Sequence, residues 1–181
     1  MWGQTFWSNM FVTKLLASKK GNCHSFPFLF KILTEEFMIS SYISFAPNHI
    51  YIKSYSKKTG WYNIELTSAT FPVDAWIMAS GYVHLDAIRN KLYMDTLSLR
   101  QTIAYCWVDL AQGYQRKFGK ENPEFVIKCC ESVLKYHSFN VNAMLTKAEA
   151  QKYLIEKRMK ISNAQCPNEL FNVDSIRRGP C

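Results

Sequence analysis

The order of secondary structure is set by residues 21–66, which read GNCHSFPFLFKILTEEFMISSYISFAPNHIYIKSYSKKTGWYNIEL. Early in this stretch, apolar side chains recur at intervals of three and four residues, which predicts an amphipathic helix from about Ser25 to Phe37. From Ile39 onward the residues are β-branched and aromatic instead, as is typical of strands. The apolar side chains of the predicted helix are Phe26, Leu29, Phe30, Leu33 and Phe37.

Three strands are predicted after this helix, at residues 42–45, 49–55 and 61–66. Residues 46–48 and 56–60 separate them and contain proline, asparagine, lysine and glycine, which are typical of turns. Short connections of this kind join antiparallel neighbours. The stretch therefore predicts a helix packed on a small antiparallel sheet.

The rest of the chain is predicted to be mainly helical. Residues 9–18 fit a short helix that ends before Gly21, and residues 67–76 are irregular. Helical pattern then continues to about Lys160, with a last helix from Asn142 to Met159 and a loop from Ile161 onward. Two apolar stripes define the middle helices: Ile103, Trp107, Leu110, Ala111 and Tyr114, then Val126, Cys129, Cys130, Val133 and Leu134.

These patterns predict an α+β fold with three segments. Residues 1–95 would form the first domain, residues 96–160 a helical extension, and residues 161–181 a tail. The chain has 181 residues, of which 48% are hydrophobic, enough for a packed core. We expect the extension to pack on the first domain.

Composition limits the classes of function. The net charge of +8 comes from basic residues in short pairs, such as Lys19-Lys20, which favours a solvated surface over nucleic-acid binding. The six cysteines show no C-x-x-C spacing, so no metal site is expected, and Cys106, Cys129 and Cys130 are predicted to be reduced and buried. No transmembrane segment is expected. No signal peptide is visible, although an exported protein cloned without its signal would look the same, so the compartment stays open.

Cys23 stands at the start of the predicted helix, where the free backbone amides and the positive end of the helix dipole favour a thiolate. Gly21 would let the backbone approach closely, Asn22 belongs to the same loop, and the amide of Cys23 could donate to an oxyanion. His24 is expected to point away from the sulfur and to serve packing or substrate contact. A second oxyanion donor is not fixed by the sequence, and upstream candidates are Gln4, Trp7 and Asn9.

His49 and Glu65 are predicted to complete the site. If the second turn is centred on Lys57, these two residues face each other across the hairpin, within reach of a hydrogen bond. The same register would put Ile50, Ile52, Tyr62 and Ile64 together on the opposite face. Asn63 is an alternative partner for the imidazole. Trp61 would roof the site or fill the core, and Tyr51 would line the substrate path.

Cys23, His49, Trp61 and Glu65, in this order and spacing, resemble the core of the transglutaminase-like superfamily, whose usual order is Cys, His, Asp. The resemblance covers about residues 9–70, and the loop around Cys23 also resembles the nucleophile loop of papain-like enzymes. Here the acid is glutamate, and only 26 residues separate the cysteine from the histidine.

The transglutaminase-like resemblance implies a Cys23-His49-Glu65 triad for cysteine-dependent acyl transfer on protein or peptide amides, by a hydrolase or an acyltransferase, with no cofactor. An alternative is a catalytically inactive binding module of the same fold. The helical stripes resemble a tetratricopeptide unit, which implies a possible protein partner for the extension.

Overall fold

The computed structural model describes residues 4–165, with side chains described from residue 7 to residue 161. Helices precede and follow a three-stranded antiparallel sheet, so the α+β class is confirmed. The elements are a 3-10 helix at Gln4–Met10, α1 at Val12–Ser18, α2 at Ser25–Glu36, β1 at Ser41–Ala46, β2 at His49–Ser56, β3 at Gly60–Ile64, α3 at Asp74–Gly81, α4 at Leu85–Arg89, α5 at Leu99–Phe118, α6 at Pro123–Leu134 and α7 at Val141–Gln165.

Helix α2 forms where the sequence predicts it, but its buried face differs from the prediction. Leu33 and Phe37 are exposed, whereas Lys31 and Thr34 are buried against the sheet. Burial of Lys31 is tolerated because its ammonium donates hydrogen bonds to the Ser41 carbonyl at 2.6 Å and to the carboxylate of Glu35. Apolar periodicity alone could not reveal these polar partners.

The sheet has the order β1-β2-β3, with a two-residue turn before β2 and a three-residue turn before β3. The predicted register of the second hairpin is wrong by one turn position. Tyr55 pairs with Trp61 and Ser56 with Gly60, so the turn is centred on Lys58. Gly60 adopts a left-handed φ of 73°, which closes a three-residue hairpin loop at little steric cost.

Each face of the sheet packs on a different set of helices. Ile50 and Ile52 are buried with residues of α2, α5, α6 and α7 in the larger hydrophobic cluster, and Ile64 packs against it. Tyr62, predicted to join them, is half-buried and lies near Phe71, with ring centroids 6.4 Å apart. The other face of the sheet forms a smaller cluster of Ala46, Tyr51, Ile77, Val83 and Met94.

Helix α5 begins at a capping box in which Ser98 and Gln101 bind each other's backbone amides. Its predicted stripe is only partly buried: Ala111 is in the core, but Ile103, Trp107 and Leu110 are exposed. The helix instead buries Tyr105, Val108 and Asp109, because the sheet and α2 occupy that side. The predicted stripe of α6 is confirmed for Val126, Cys129, Cys130 and Val133, which are buried, and Leu134 packs against the core.

Two smaller corrections concern the end of the chain and the cysteines. Helix α7 continues to Gln165 instead of ending at Met159, since no glycine or proline interrupts the sequence before Pro167. Cys106 is exposed, although Cys129 and Cys130 are buried as predicted. Among residues 4–165, no helix is long and apolar enough to cross a membrane.

Candidate active site

The loop before α2 is held by its own side chains. The Asn22 side-chain oxygen accepts hydrogen bonds from the amides of His24 at 2.9 Å and Ser25 at 3.3 Å, which caps the helix. The Ser25 hydroxyl in turn accepts from the amide of Asn22 at 3.0 Å. Cys23 is half-buried, and no backbone carbonyl in the described part of the chain accepts a hydrogen bond from its amide. That amide is therefore available to a ligand.

Gly21 is required by the close packing of this loop. A Cβ at this position would lie 2.7 Å from the Ser25 hydroxyl and 3.0 Å from a Leu15 methyl. Ser25 is fully buried, so its side chain has little room to rotate away. Gly21→Ala should therefore lower the free energy of unfolding by roughly 1–3 kcal/mol, as overpacking does. Urea denaturation measures this, and an unchanged midpoint would contradict it. Gly60→Ala is not a matched control because its φ is positive.

His49 begins β2, directly after the turn at Pro47-Asn48, and its imidazole lines the same cleft as the thiol of Cys23. Partial burial raises the pKa of Cys23, but hydrogen bonding with His49, the charges of His24 and His49, and the Ile50 amide lower it further. The net effect is a pKa below the ordinary value of a thiol. Cys23 thus has the electrostatics of a reactive cysteine.

Glu65 holds the other side of the His49 ring. Its Oε2 is hydrogen-bonded to His49 Nε2, which leaves Nδ1 to exchange a proton with the thiol. Hydrogen bonding with Cys23 and then with Glu65 outweighs desolvation and raises the pKa of His49 to about 9. The ring is therefore protonated at neutral pH, and it lies between a carboxylate and a thiol of lowered pKa.

Glu65 is itself fixed by a tight loop that follows β3. Its Oε1 accepts hydrogen bonds from the amide of Thr67 at 2.9 Å and from the Thr67 hydroxyl. Its backbone pairs with Thr70 in both directions, at 2.9 and 3.0 Å. Burial raises the pKa of Glu65, but the bonds to His49 and Thr67 lower it further, so the net pKa is below its ordinary value.

The His49–Glu65 contact forms although the predicted register is wrong. In the observed register a further pair would place Glu65 opposite Tyr51, one diagonal step from His49. Shifting the turn centre by one residue changes the partner of each residue by two positions, which preserves the face of the sheet. A glutamate side chain is long enough to reach its diagonal neighbour.

A second imidazole–carboxylate pair lies beside Cys23, and sequence reasoning missed its acid. His24 Nδ1 lies 3.0 Å from Asp109 Oδ1 of α5. Desolvation lowers the pKa of His24, but Asp109 raises it further; burial raises the pKa of Asp109, against the effect of His24. Asp109 occurs beside the predicted α5 stripe, and nothing in the sequence distinguishes it from a solvent-exposed acid.

Cys23, His24 and His49 open into one cleft of about 530 Å³. His24 thus lies at the same opening as the sulfur, although it was expected to point away. Trp7 lines this cleft as well, whereas Asn9 is half-buried outside it, and the side chain of Gln4 lies outside the described part of the chain. The full lining comprises Trp7, Met10, Asn22, Cys23, His24, Asn48, His49, Ile50, Tyr105, Gln112, Arg116 and Asn142.

Three residues predicted near the site lie elsewhere. Trp61 is 54% exposed and packs on Tyr42 and Tyr55, at the opposite end of β2 from His49 and about 20 Å away at the usual strand rise. Asn63 donates to the Pro72 carbonyl at 2.9 Å and to Asp74 at 2.8 Å, so it supports the start of α3 and not the imidazole.

Tyr51 shares the face of the sheet with His49 and Glu65, but it is buried in the smaller cluster and does not line the cleft of Cys23. It lines a second pocket of about 290 Å³ together with His49 and Glu65.

No protein-family model, curated protein or solved structure matches this chain. The functional inference therefore depends on the arrangement of Cys23, His49 and Glu65 and on the cleft that exposes it.

Proposed function

We propose that the protein is an enzyme with a transglutaminase-like core that catalyses cysteine-dependent acyl transfer on protein or peptide amides. Cys23 would be the nucleophile, His49 the general acid and base, and Glu65 the residue that orients the imidazole. The observation that carries the proposal is the hydrogen bond between His49 Nε2 and Glu65, at a cleft that His49 shares with Cys23, a thiol of lowered pKa.

The chemistry follows from this arrangement. The Cys23 sulfur attacks the amide carbonyl, and the carbonyl electron pair moves to oxygen, where the Cys23 amide can donate a hydrogen bond. His49 then gives its proton to the leaving nitrogen, the C–N bond breaks, and an acyl-thioester remains. Water or an amine attacks the thioester next, with His49 accepting the proton, and the C–S bond then breaks, which releases the acid or the new amide and returns the Cys23 sulfur. Hydrolysis and transamidation differ only in this second nucleophile.

The cleft supports a peptide-sized ligand. Its volume of about 530 Å³ lies within the usual range for ligand sites, and it is lined by both apolar and polar side chains. The alternative, a non-catalytic binding module, would use the same cleft without needing an ionised sulfur. The reactivity of Cys23 therefore separates the two functions.

The test is alkylation by iodoacetamide at pH 6, with each cysteine followed by peptide mass spectrometry. Cys106 is a control within the same chain, because the residue is accessible from solvent, while partial burial and Asp109 raise the pKa of its thiol. We expect Cys23 to react about tenfold faster than Cys106, because only the thiolate reacts and few ordinary thiols are ionised at this pH. Equal rates at the two cysteines would favour the binding module.

A second measurement identifies whether water or an amine accepts the acyl group. Incubation with casein and dansylcadaverine should give either fluorescent casein, which reports transamidation, or new peptide termini, which report hydrolysis. Cys23→Ser is the control and should give neither product. If the wild-type protein and Cys23→Ser behave alike with this substrate, amide transfer on casein is excluded.

A further inference from the structure

The second imidazole–carboxylate pair, His24 and Asp109, contains a buried carboxylate. Asp109 is 5% exposed and lies in the middle of α5, on the side that packs in the hydrophobic core. A buried carboxylate without a partner is strongly destabilising. In the part of the chain that the structure describes, its one side-chain partner is His24, 85 positions earlier in the sequence. Burial of Asp109 destabilises the fold, and its side chain hydrogen-bonds to only one partner among the described residues. We infer that its role is to fix the position of His24.

The orientation of the His24 ring follows from this bond. Nδ1 is directed to Asp109, so Nε2 is the nitrogen left for another ligand. Within the described residues, no protein atom forms a hydrogen bond with Nε2. The ring lines the same cleft as Cys23 and His49 and lies beside Tyr105, with ring centroids 6.4 Å apart. Asp109 therefore holds His24 Nε2, a hydrogen-bond donor, at the cleft into which the sulfur of Cys23 opens.

We propose that His24 is the second oxyanion donor of this site and that Asp109 is its positioning residue. The inference rests on the proposed function, since an oxyanion arises only if Cys23 attacks a carbonyl. The backbone amide of Cys23 would bind the oxyanion from one side and Nε2–H of His24 from the other. Protonated His24 would also bring a positive charge to the place where negative charge develops.

The pKa of His24 supports this role. Asp109 raises it above the ordinary value of histidine, so the ring is more readily protonated than a free imidazole. His49 has a different task in the same cleft, because its Nε2 is bound to Glu65, which leaves Nδ1 for the thiol. One histidine would move the proton, and the other would stabilise the oxygen.

Two probes separate oxyanion stabilisation from thiolate formation. Acylation of Cys23 by p-nitrophenyl acetate passes through a tetrahedral oxyanion: the sulfur bonds to the carbonyl carbon, the π electrons move to oxygen, and p-nitrophenolate leaves. Alkylation by iodoacetamide is a direct displacement of iodide at a saturated carbon and forms no oxyanion. A donor to the oxyanion should affect the first rate and not the second, whereas a change in thiol ionisation affects both.

The experiment measures both rates in the full chain, with the Cys23→Ser rate subtracted as background. We expect His24→Phe to lower the ratio of acylation to alkylation by about 10- to 100-fold, below the effect on an amide because the leaving group is activated. Alkylation by itself should fall only as far as the loss of the His24 charge raises the pKa of Cys23. His24→Gln should keep part of the acylation rate, because its amide can still donate. Asp109→Asn should lower the ratio of acylation to alkylation, which a merely structural role would leave unchanged.

Trp7→Phe is the comparison variant, because Trp7 lines the same cleft and the substitution removes its N–H donor while it keeps a smaller aromatic ring. Equal loss of both rates in His24→Phe, or selective loss of acylation in Trp7→Phe instead, would overturn the assignment of His24. If circular dichroism shows that His24→Phe does not fold, His24→Gln tests the assignment instead. Its ratio of acylation to alkylation must then be lower than that of the wild type. Wild-type Cys23 reacting no faster than Cys106 is a separate result: it rejects the proposed function before any His24 variant is compared, and the role of His24 with it.

Discussion

Replacing His49 with alanine should slow the alkylation of Cys23 by iodoacetamide at pH 6 by about tenfold. Without the imidazolium the thiol loses the hydrogen bonding and charge that lower its pKa. A thiol with the ordinary pKa of about 8.5 is only about 0.3% ionised at pH 6. The effect on rate is smaller than the loss of ionised thiol, because a more basic thiolate is a better nucleophile.

The pH dependence of this difference has a definite direction. As the pH rises through about 9, the value to which the pKa of His49 is raised, the wild-type ring loses its proton and its charge no longer stabilises the thiolate. Over the same range the thiol of the variant ionises without help. The two alkylation rates should therefore differ most at acid pH and converge above about pH 9.

The control for this variant is His84→Ala. His84 is an exposed histidine at the start of α4 whose ring contacts Asp86 at 3.3 Å, on a different part of the surface from the cleft. Its removal should leave the rate at Cys23 unchanged. Rates that are equal in His49→Ala and the wild type at pH 6 would show that the thiolate does not depend on His49, and the proposed triad would be wrong.

The largest effect on stability is expected for Tyr105→Ala, at about 3–5 kcal/mol in the free energy of unfolding. Tyr105 is fully buried, and its ring lies 4.6 Å from that of Phe45 and 6.3 Å from that of Phe28, between centroids. Its hydroxyl accepts a hydrogen bond from Asn142 at 2.9 Å. One side chain on α5 thus contacts α2, the sheet and α7.

Two variants give the comparison for Tyr105→Ala. Tyr105→Phe removes only the hydroxyl, so its cost should be about 1 kcal/mol. Ile103→Ala changes a residue of the same helix that is 60% exposed, and its cost should stay within about 0.5 kcal/mol. Urea unfolding followed by circular dichroism and by fluorescence measures all three. A loss below 1 kcal/mol in Tyr105→Ala, or separate transitions in the two signals, would contradict a shared core between α5 and the sheet.

Much of the local structure was predictable because it depends on neighbouring residues. The period of the apolar side chains identifies α2 and α6, and turn residues separate the three strands. The turn centre was wrong by one residue, because both Lys57 and Lys58 fit a turn and the left-handed Gly60 decides between them. The buried side of α5 was also wrong, since an apolar side chain is buried only where another element covers it.

The candidate site was predictable to about the same extent as the local structure. Cys23 before a helix and His49 at the start of a strand follow from local pattern. Glu65 was predicted within the next strand, which ends one residue before it, and it still lies on the predicted face because a shift of two positions keeps the face of the sheet. The positions of Trp61 and Asn63 did not follow, because a shift along the strand moves a side chain several ångströms away from a site at one end. The contact between His24 and Asp109 joins two helices, and no local pattern predicts it.

The sequence by itself determined the order of helices and strands, the place of Cys23 at a helix start and the common face of His49 and Glu65, because hydrogen bonding and side-chain direction within a helix or hairpin repeat at fixed short spacings. The tertiary structure alone decided that His24 shares the cleft with Cys23 and that Asp109 is buried behind it. Those contacts depend on how α5 packs against α2 and the sheet, and packing is the sum of many weak contacts between residues far apart in the chain.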